Sequence, residues 1–497
     1  MKKIKILEVN NIDLAGRRFN GYDLIYSLPT SFFEVKQAVI TKQSDDENVI
    51  SVINTEVQNE LFHKLQHFEE KHSIHNVFSI ASPTLMEMKE YKEADIVHFH
   101  MFHNTKLSIS SLLEISREKK VIMTLHDPWY ITGRCVHFYD CLNWKKGCKK
   151  CRNLSTLFPF YEDNCSEMWK LKKTVFDNIA IDIVVTSDWM LNLVKESSIL
   201  SNQKNIHLIP FGIDNGKFKD INVGHARKEL QIPNNHVVLY LRAQEEFKGT
   251  EYVLEALKEL KTNKEITVLT CDRVGLLSDI EEKYNIIDLG YVDDEKMLLA
   301  LSACDIFLMP SKGESFGMMG IEAMSCSKPV IVFDNTALPS IMFAPECGYL
   351  VADRDIMGLM NAIKYLIENE EERKKRGKLG RKLCIENYDI NIYTEKIANL
   401  YLAVSKTNQV KNEFAHNDMS MEAAKIFVGS FKKFLDSNLK IEELNFSNIN
   451  DVVLLNQINK EIYIAANKQN KTIKNKLKSI VKKNKFMYSV FKKIKGS

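Results

Sequence analysis

Two glutamates eight positions apart, Glu314 and Glu322, stand in the segment MPSKGESFGMMGIEAMSCSKPVIVF, residues 309–333. The segment reads as a strand, a loop with Pro310, Ser311 and Gly313, and a helix starting at Ser315, Phe316 and Gly317. Free amides and the positive dipole end at such a helix start make an anion site. Glu314, in the loop, can touch a sugar hydroxyl. Glu322, about two helical turns on, can accept from a ribose diol. The plain alternative is a surface acid and a helix-face acid, against which strand, loop and helix context agree. A second pair, Arg242 and Lys248, lies in LRAQEEFKG, residues 241–249, between a strand and a helix predicted over 250–260. Six positions apart on a short loop, both can point at one diphosphate. A leaving nucleoside diphosphate gains negative charge as its bond breaks, and fixed cations stabilise it. Alone, an Arg/Lys pair is more often a solvated face.

The first segment resembles the signature of glycosyltransferase family 4, two glutamates with seven residues between them in a strand–loop–helix. The match runs on through Ala323-Met324 and Ser327-Lys328-Pro329-Val330, with Ser327 where the family often has Gly. The second resembles the family's Gly-Arg followed by Lys-Gly, with Leu241 in place of the first Gly. Between them, residues 289–311 are similar to the family's Gly-Tyr-Val stretch. That resemblance places Tyr291 and Val292 near the nucleotide base through main-chain groups, with Thr270, Cys271 and Asp272 flanking it. His126 ends the strand that carries Thr124 and Leu125, where such enzymes have a His that hydrogen-bonds the donor sugar, and that role carries over to it. His98 and His100 share one strand face, structural or cleft-lining. In the loop from Asn10 to Gly21, related enzymes have Gly-Gly. Here Ala15-Gly16 stands there, so Gly16 alone carries over, and Arg17 is placed to face an anionic acceptor.

Apolar runs at 4–9, 95–99, 121–125 and 181–186 alternate with helical stretches. The pattern restarts near 206–210 with runs at 237–241, 266–269, 286–289, 306–309 and 330–333. Strands alternating with helices imply parallel sheets. The expected fold is α/β: two Rossmann-like domains facing a cleft (GT-B in the resembled family), plus a basic helical C-terminal extension. Ligands of such sheets bind at strand C-termini. The expected boundaries are 1–205 for an acceptor domain, with a helix at 385–404 returning to it. Residues 206–384 form a nucleotide-sugar donor domain, and 405–497 a linker and lysine-rich helical extension.

A net charge of +3 excludes a general nucleic-acid binder. Residues 462–497 carry 11 lysines and no acid, so the remaining chain is acidic. Leu477, Ile480, Val481, Met487, Val490, Phe491 and Ile494 recur there at near-helical spacing. A basic amphipathic helix suits an anionic membrane surface, and a solvated helix or packing arm fits equally. No apolar run is long enough to span a membrane or form a signal peptide, which points to a cytoplasmic protein, peripheral on the inner membrane face. Four of ten cysteines, Cys135, Cys141, Cys148 and Cys151, cluster around a CxxC knuckle. They suit a structural Zn2+ site, with free thiols next and disulfides last.

The resemblance, covering residues 1–404, implies a retaining glycosyltransferase of bacterial polysaccharide synthesis. It would be a hexosyl-type enzyme using a UDP- or GDP-sugar without a catalytic metal. Its acceptor would be a saccharide or a polyprenyl-diphosphate-linked saccharide. The alternatives are a nucleotide-sugar epimerase, a sugar phosphorylase, or a non-catalytic sugar-nucleotide-binding subunit. The dinucleotide fingerprint GxGxxG is absent, against a dehydrogenase.

Overall fold

The computed structural model describes residues 2–156, 158–219, 221–243, 247–271, 275–407 and 446–467. Asp272, most of the expected linker and the basic segment from 468 onward lie outside them. The chain divides into two compact units. The first comprises 1–184, 193–207 and 398–497, and the second 185–192 and 208–397.

The first unit is built on seven strands: β1 (Ile4–Ile12), β2 (Phe33–Thr41), β3 (Val49–Ser51), β4 (Ile96–His100), β5 (Lys120–Leu125), β6 (Asp182–Val185) and β7 (Asn205–Leu208). Their order is β3-β2-β1-β4-β5-β6-β7. The second holds six: β8 (Val237–Leu241), β9 (Ile266–Thr270), β10 (Asn285–Asp288), β11 (Ile306–Met309), β12 (Val330–Phe333) and β13 (Tyr349–Val351), in the order β10-β9-β8-β11-β12-β13. The central pairings, β1 with β4 and β8 with β11, are parallel. Helices cover both faces of such sheets, so the middle strands are apolar throughout. Every residue of β4, β8, β9, β11 and β12 is buried.

In each sheet the strand order reverses beside its first strand, next to β1 in one and next to β8 in the other. The loops leaving these strands therefore flank an open crevice, the place where parallel α/β sheets bind ligands. Both sequence segments singled out for phosphate chemistry leave β8 and β11, neighbours across this point.

The expected separate extension is in part integral to the first unit. The helix Ile449–Asn467 turns Val452, Leu455, Ile458 and Ile462 inward, a spacing of three to four that makes one apolar face. Asn459 takes the Ser79 amide (2.9 Å) and donates to the Val77 carbonyl (3.1 Å), and Asn456 donates to the Ser110 carbonyl (2.7 Å).

Candidate functional site

In the second unit, the loops after β8 and β11 are laced together. Lys312 N–H donates to the Phe247 carbonyl (2.8 Å). Gly249 approaches Pro310 so closely that a Cβ would overlap the Pro310 carbonyl, and its φ of +73° favours glycine. This packing brings Lys248 Nζ to 2.7 Å from Glu314 Oε2, with both side chains partly exposed. The two residues that sequence assigned to diphosphate and sugar are thus ion-paired to each other. Arg242 follows β8 and is partly exposed.

The helix after β11 runs Met318–Ser325, one to three residues later than the start expected at Ser315–Gly317, because Gly317 is its N-cap at φ +95°. A Cβ there would lie 2.5 Å from Leu338 Cδ2. The first amides of any helix lack intrahelical acceptors, so this start keeps its capacity for an anion. The hydroxyls of Ser311 and Ser315 are buried in the preceding loop with no hydrogen-bond partner among the described residues. A buried hydroxyl without a partner costs roughly 1–3 kcal/mol, which a ligand oxygen would recover. Glu322 is buried within the helix. Phe316 differs from a ligand-facing side chain. Its ring stacks edge-on against Phe211 (5.3 Å) and Tyr388 (5.7 Å), so only its backbone can serve a ligand.

The expected base-contacting segment follows β10. Tyr291 projects into solvent at 87% exposure, while Val292 is half-buried. The exposed Tyr291 ring therefore forms no enclosed wall. A cavity of about 540 Å3 lies alongside, lined by Thr270, Leu277, Tyr284 and Asp288 among others. Thr270 Oγ1 also accepts from Ala243 N–H (3.2 Å), which joins this wall to the Arg242 loop.

In the first unit, His126 follows β5 and is partly exposed. Its Nε2 lies 3.2 Å from His100 Nδ1, and His100 Nε2 lies 2.8 Å from Glu8 Oε2. Tyr401 donates to Glu8 Oε1 (2.5 Å). His98 bonds Tyr401 (2.7 Å) and Thr124 (2.8 Å) through its two ring nitrogens. Burial pushes the Glu8 carboxyl up, but His98 and His100 outweigh it and hold it down at about 2. Burial, reinforced by His98, lowers His100 to about 4. Burial, with His100 and His103 adding to it, holds His126 well below the usual histidine range. Sequence reading paired none of these groups with His126. Gly16 sits on the Phe19 ring, whose centroid is 5.8 Å from that of His126.

The cysteine cluster closes around a cavity of about 20 Å3 lined by Cys135, Cys141, Cys148, Cys151 and a fifth, Cys165. Cys165 starts the helix Cys165–Asp177. Gly133 N–H donates to Cys148 Sγ (3.1 Å). The buried Lys172 ammonium donates to the carbonyls of Trp129, Thr132 and Gly133 (2.6, 2.9 and 3.3 Å). Among the described residues, the group of three side chains whose ligand atoms lie within 4.8 Å of one another is Glu8, His98 and His100, not the cysteines.

Residues 224–383 match the family described as Glycosyl transferases group 1. The chain is 23% identical over 292 residues to the putative colanic acid biosynthesis glycosyl transferase WcaC of Escherichia coli (strain K12), covering 54% of this chain and 67% of that one. It is 23% identical over 366 residues to the capsular polysaccharide biosynthesis glycosyltransferase CapM of Staphylococcus aureus, covering 67% and 91%. Anabaena Alr3699/HepE, solved with UDP and glucose, superposes at a TM-score of 0.58 and 14% identity over 80% of this chain and all of that one. Residues 224–383 are thus similar to group 1 glycosyltransferases, the chain has a GT-B fold, and the proteins it resembles include ones named for bacterial polysaccharide biosynthesis.

Proposed function

We propose that this protein transfers a sugar, with retention, from a nucleotide-sugar donor to a saccharide or lipid-linked saccharide in cell-surface polysaccharide synthesis. The observation that carries this reading is the second unit's cradle. Lys248 and Glu314 are paired across two interlocked loops, beside a helix start and two buried hydroxyls without partners among the described residues. In this reading Lys248 leaves Glu314 for the donor diphosphate, joined by Arg242 and the amides at Ser315–Gly317. Glu314, so released, holds a sugar hydroxyl, and Glu322 anchors the ribose. His126 hydrogen-bonds the donor sugar. The acceptor hydroxyl attacks from the leaving-group face, and a phosphate oxygen takes its proton. The 540 Å3 cavity is large enough for a base, and HepE, with UDP and glucose, supports a nucleotide sugar, UDP- or GDP-linked.

Cys135, Cys141, Cys148 and Cys151 line one cavity, and a structural Zn2+ held by their four thiolates would require the sulfurs to draw closer together than they stand here, with the nearby ammonium of Lys172 offsetting their charge. About one zinc per purified chain supports this, and none removes it. No helix among the described residues is long and apolar enough to cross a membrane. The lysine-rich segment 462–497 would hold the enzyme on an anionic inner surface beside a polyprenyl-linked acceptor. The activity is tested by nucleoside diphosphate release. A transferase accelerates release on addition of a lipid-linked oligosaccharide acceptor, whereas an epimerase or a binding subunit shows no acceptor dependence.

A further inference from the structure

We infer that Glu8 and His100 form a proton relay that fixes the tautomer of His126, so that His126 carries its proton on Nε2 and presents Nδ1 as a hydrogen-bond acceptor. The consequence for the donor sugar rests on the reading of His126 given above; the relay itself does not.

The directions follow from one charge. Glu8 is fully buried, and Gly21 seals it, since a Cβ at that glycine would stand 2.7 Å from Glu8 Oε2. Water therefore does not serve this oxygen, and the protein must. An ionised carboxylate only accepts hydrogen bonds. Glu8 Oε2 thus receives its proton from His100 Nε2 at 2.8 Å. A neutral imidazole has one N–H, so His100 Nδ1 is left with a lone pair. The atom facing it at 3.2 Å is His126 Nε2, and two lone pairs would repel there. The proton between them belongs to His126 Nε2, and a neutral His126 then has an unprotonated Nδ1. The other branch agrees. Tyr401 spends its proton on Glu8 Oε1, so its oxygen accepts from His98 Nδ1, and His98 Nε2 accepts from the Thr124 hydroxyl. Each side-chain bond of the network, from Thr124 through His98, Tyr401, Glu8 and His100 to His126, then has one proton and one lone pair. The same saturation argues against a cation in the Glu8–His98–His100 group, because each ligand atom already has a protein partner.

A competing state exists. The Phe19 backbone also bonds His100 and favours its charged form. A doubly protonated His100 would donate to His126 Nε2 and force the His126 proton onto Nδ1. His126 would then offer a donor where the relay offers an acceptor, so the two states read opposite partners.

The test is ring 15N–1H correlation spectroscopy on the full chain with 15N-histidine, signals assigned with single His→Gln variants. The relay predicts Nε2–H on both His100 and His126. Glu8→Gln keeps the side chain's volume but supplies an amide donor toward His100 Nε2. With its NH2 toward His100 and its carbonyl still accepting from Tyr401, it should reverse the His100–His126 branch alone, moving both protons to Nδ1, and raise the donor KM roughly tenfold, the cost of an unmatched hydrogen bond. A native His126 protonated on Nδ1, or a native His100 protonated on both nitrogens, overturns the relay without need of the variant. So does a folded Glu8→Gln protein whose His126 tautomer is unchanged. A reversed tautomer with an unchanged donor KM upholds the relay and overturns the role of His126 toward the sugar.

Discussion

Glu314 in the second unit and Glu8 in the first each face a nitrogen base at nearly the same distance, 2.7 Å to Lys248 and 2.8 Å to His100, yet they are held in opposite ways. The Glu314 pair is partly open, at 18% and 14% exposure. Such pairs contribute about 0–1 kcal/mol, so Lys248 can exchange Glu314 for a phosphate at little cost to the fold. Glu8 has no exposure, and both of its oxygens are bonded within the protein. Desolvating a carboxylate costs several kcal/mol, which its partners offset only while all are present. The same functional group thus stands in a partly open pair in one unit and in a buried, fully bonded frame in the other.

The contrast breaks most visibly under truncation. Glu8→Ala should destabilise the first unit by about 3–5 kcal/mol, the scale of a broken buried pair, read by urea denaturation. Lys248→Ala should leave the melting temperature nearly unchanged while lowering turnover by about 100- to 1000-fold, the scale of losing one charge-stabilising group. Equal losses of stability in both variants would erase the distinction.

Acid sharpens it further. His100 is lowered to about 4 from 6.5, so the unfolded chain takes up its proton first, and stability falls as pH drops from 6.5 toward 4. Glu8 is lowered to about 2 from 4.5, and its share is kept above pH 4.5 and lost between 4.5 and 2. Melting temperatures followed from pH 7 to 3 should fall by the same amount in wild type and Lys248→Ala. The smallest effect belongs to Ser315→Ala. Its buried hydroxyl has no partner among the described residues, so stability should change by less than about 0.5 kcal/mol, while nucleotide affinity falls roughly fivefold.

The parallel-sheet architecture was legible because β8, β11 and β12 are short, wholly apolar runs. β2, FEVKQAVIT, was not, since Glu34, Lys36 and Gln37 interrupt its apolar residues, and β13 has only three residues. That the loops carrying Lys248 and Glu314 meet could be read from spacing, because both leave neighbouring strands at one crevice. The His126 network could not. Glu8 reads as a charge breaking an apolar strand, and Tyr401 arrives from a helix 393 positions away. Cys165 escaped for the same reason, being placed at the cysteine cavity by the start of a helix and not by a local motif. Gly16 was read as a backbone approach to ligand, and its observed neighbour is the Phe19 ring.

In the proposed function, the second unit holds a nucleotide-sugar donor through Lys248 and Glu322. Thermal shift against UDP, GDP, ADP and their common sugars, with Lys248→Ala and Glu322→Ala alongside, tests it most directly. The account predicts stabilisation by one nucleotide family, lost in both variants. Stabilisation that survives both substitutions, or none with any nucleotide, would contradict it.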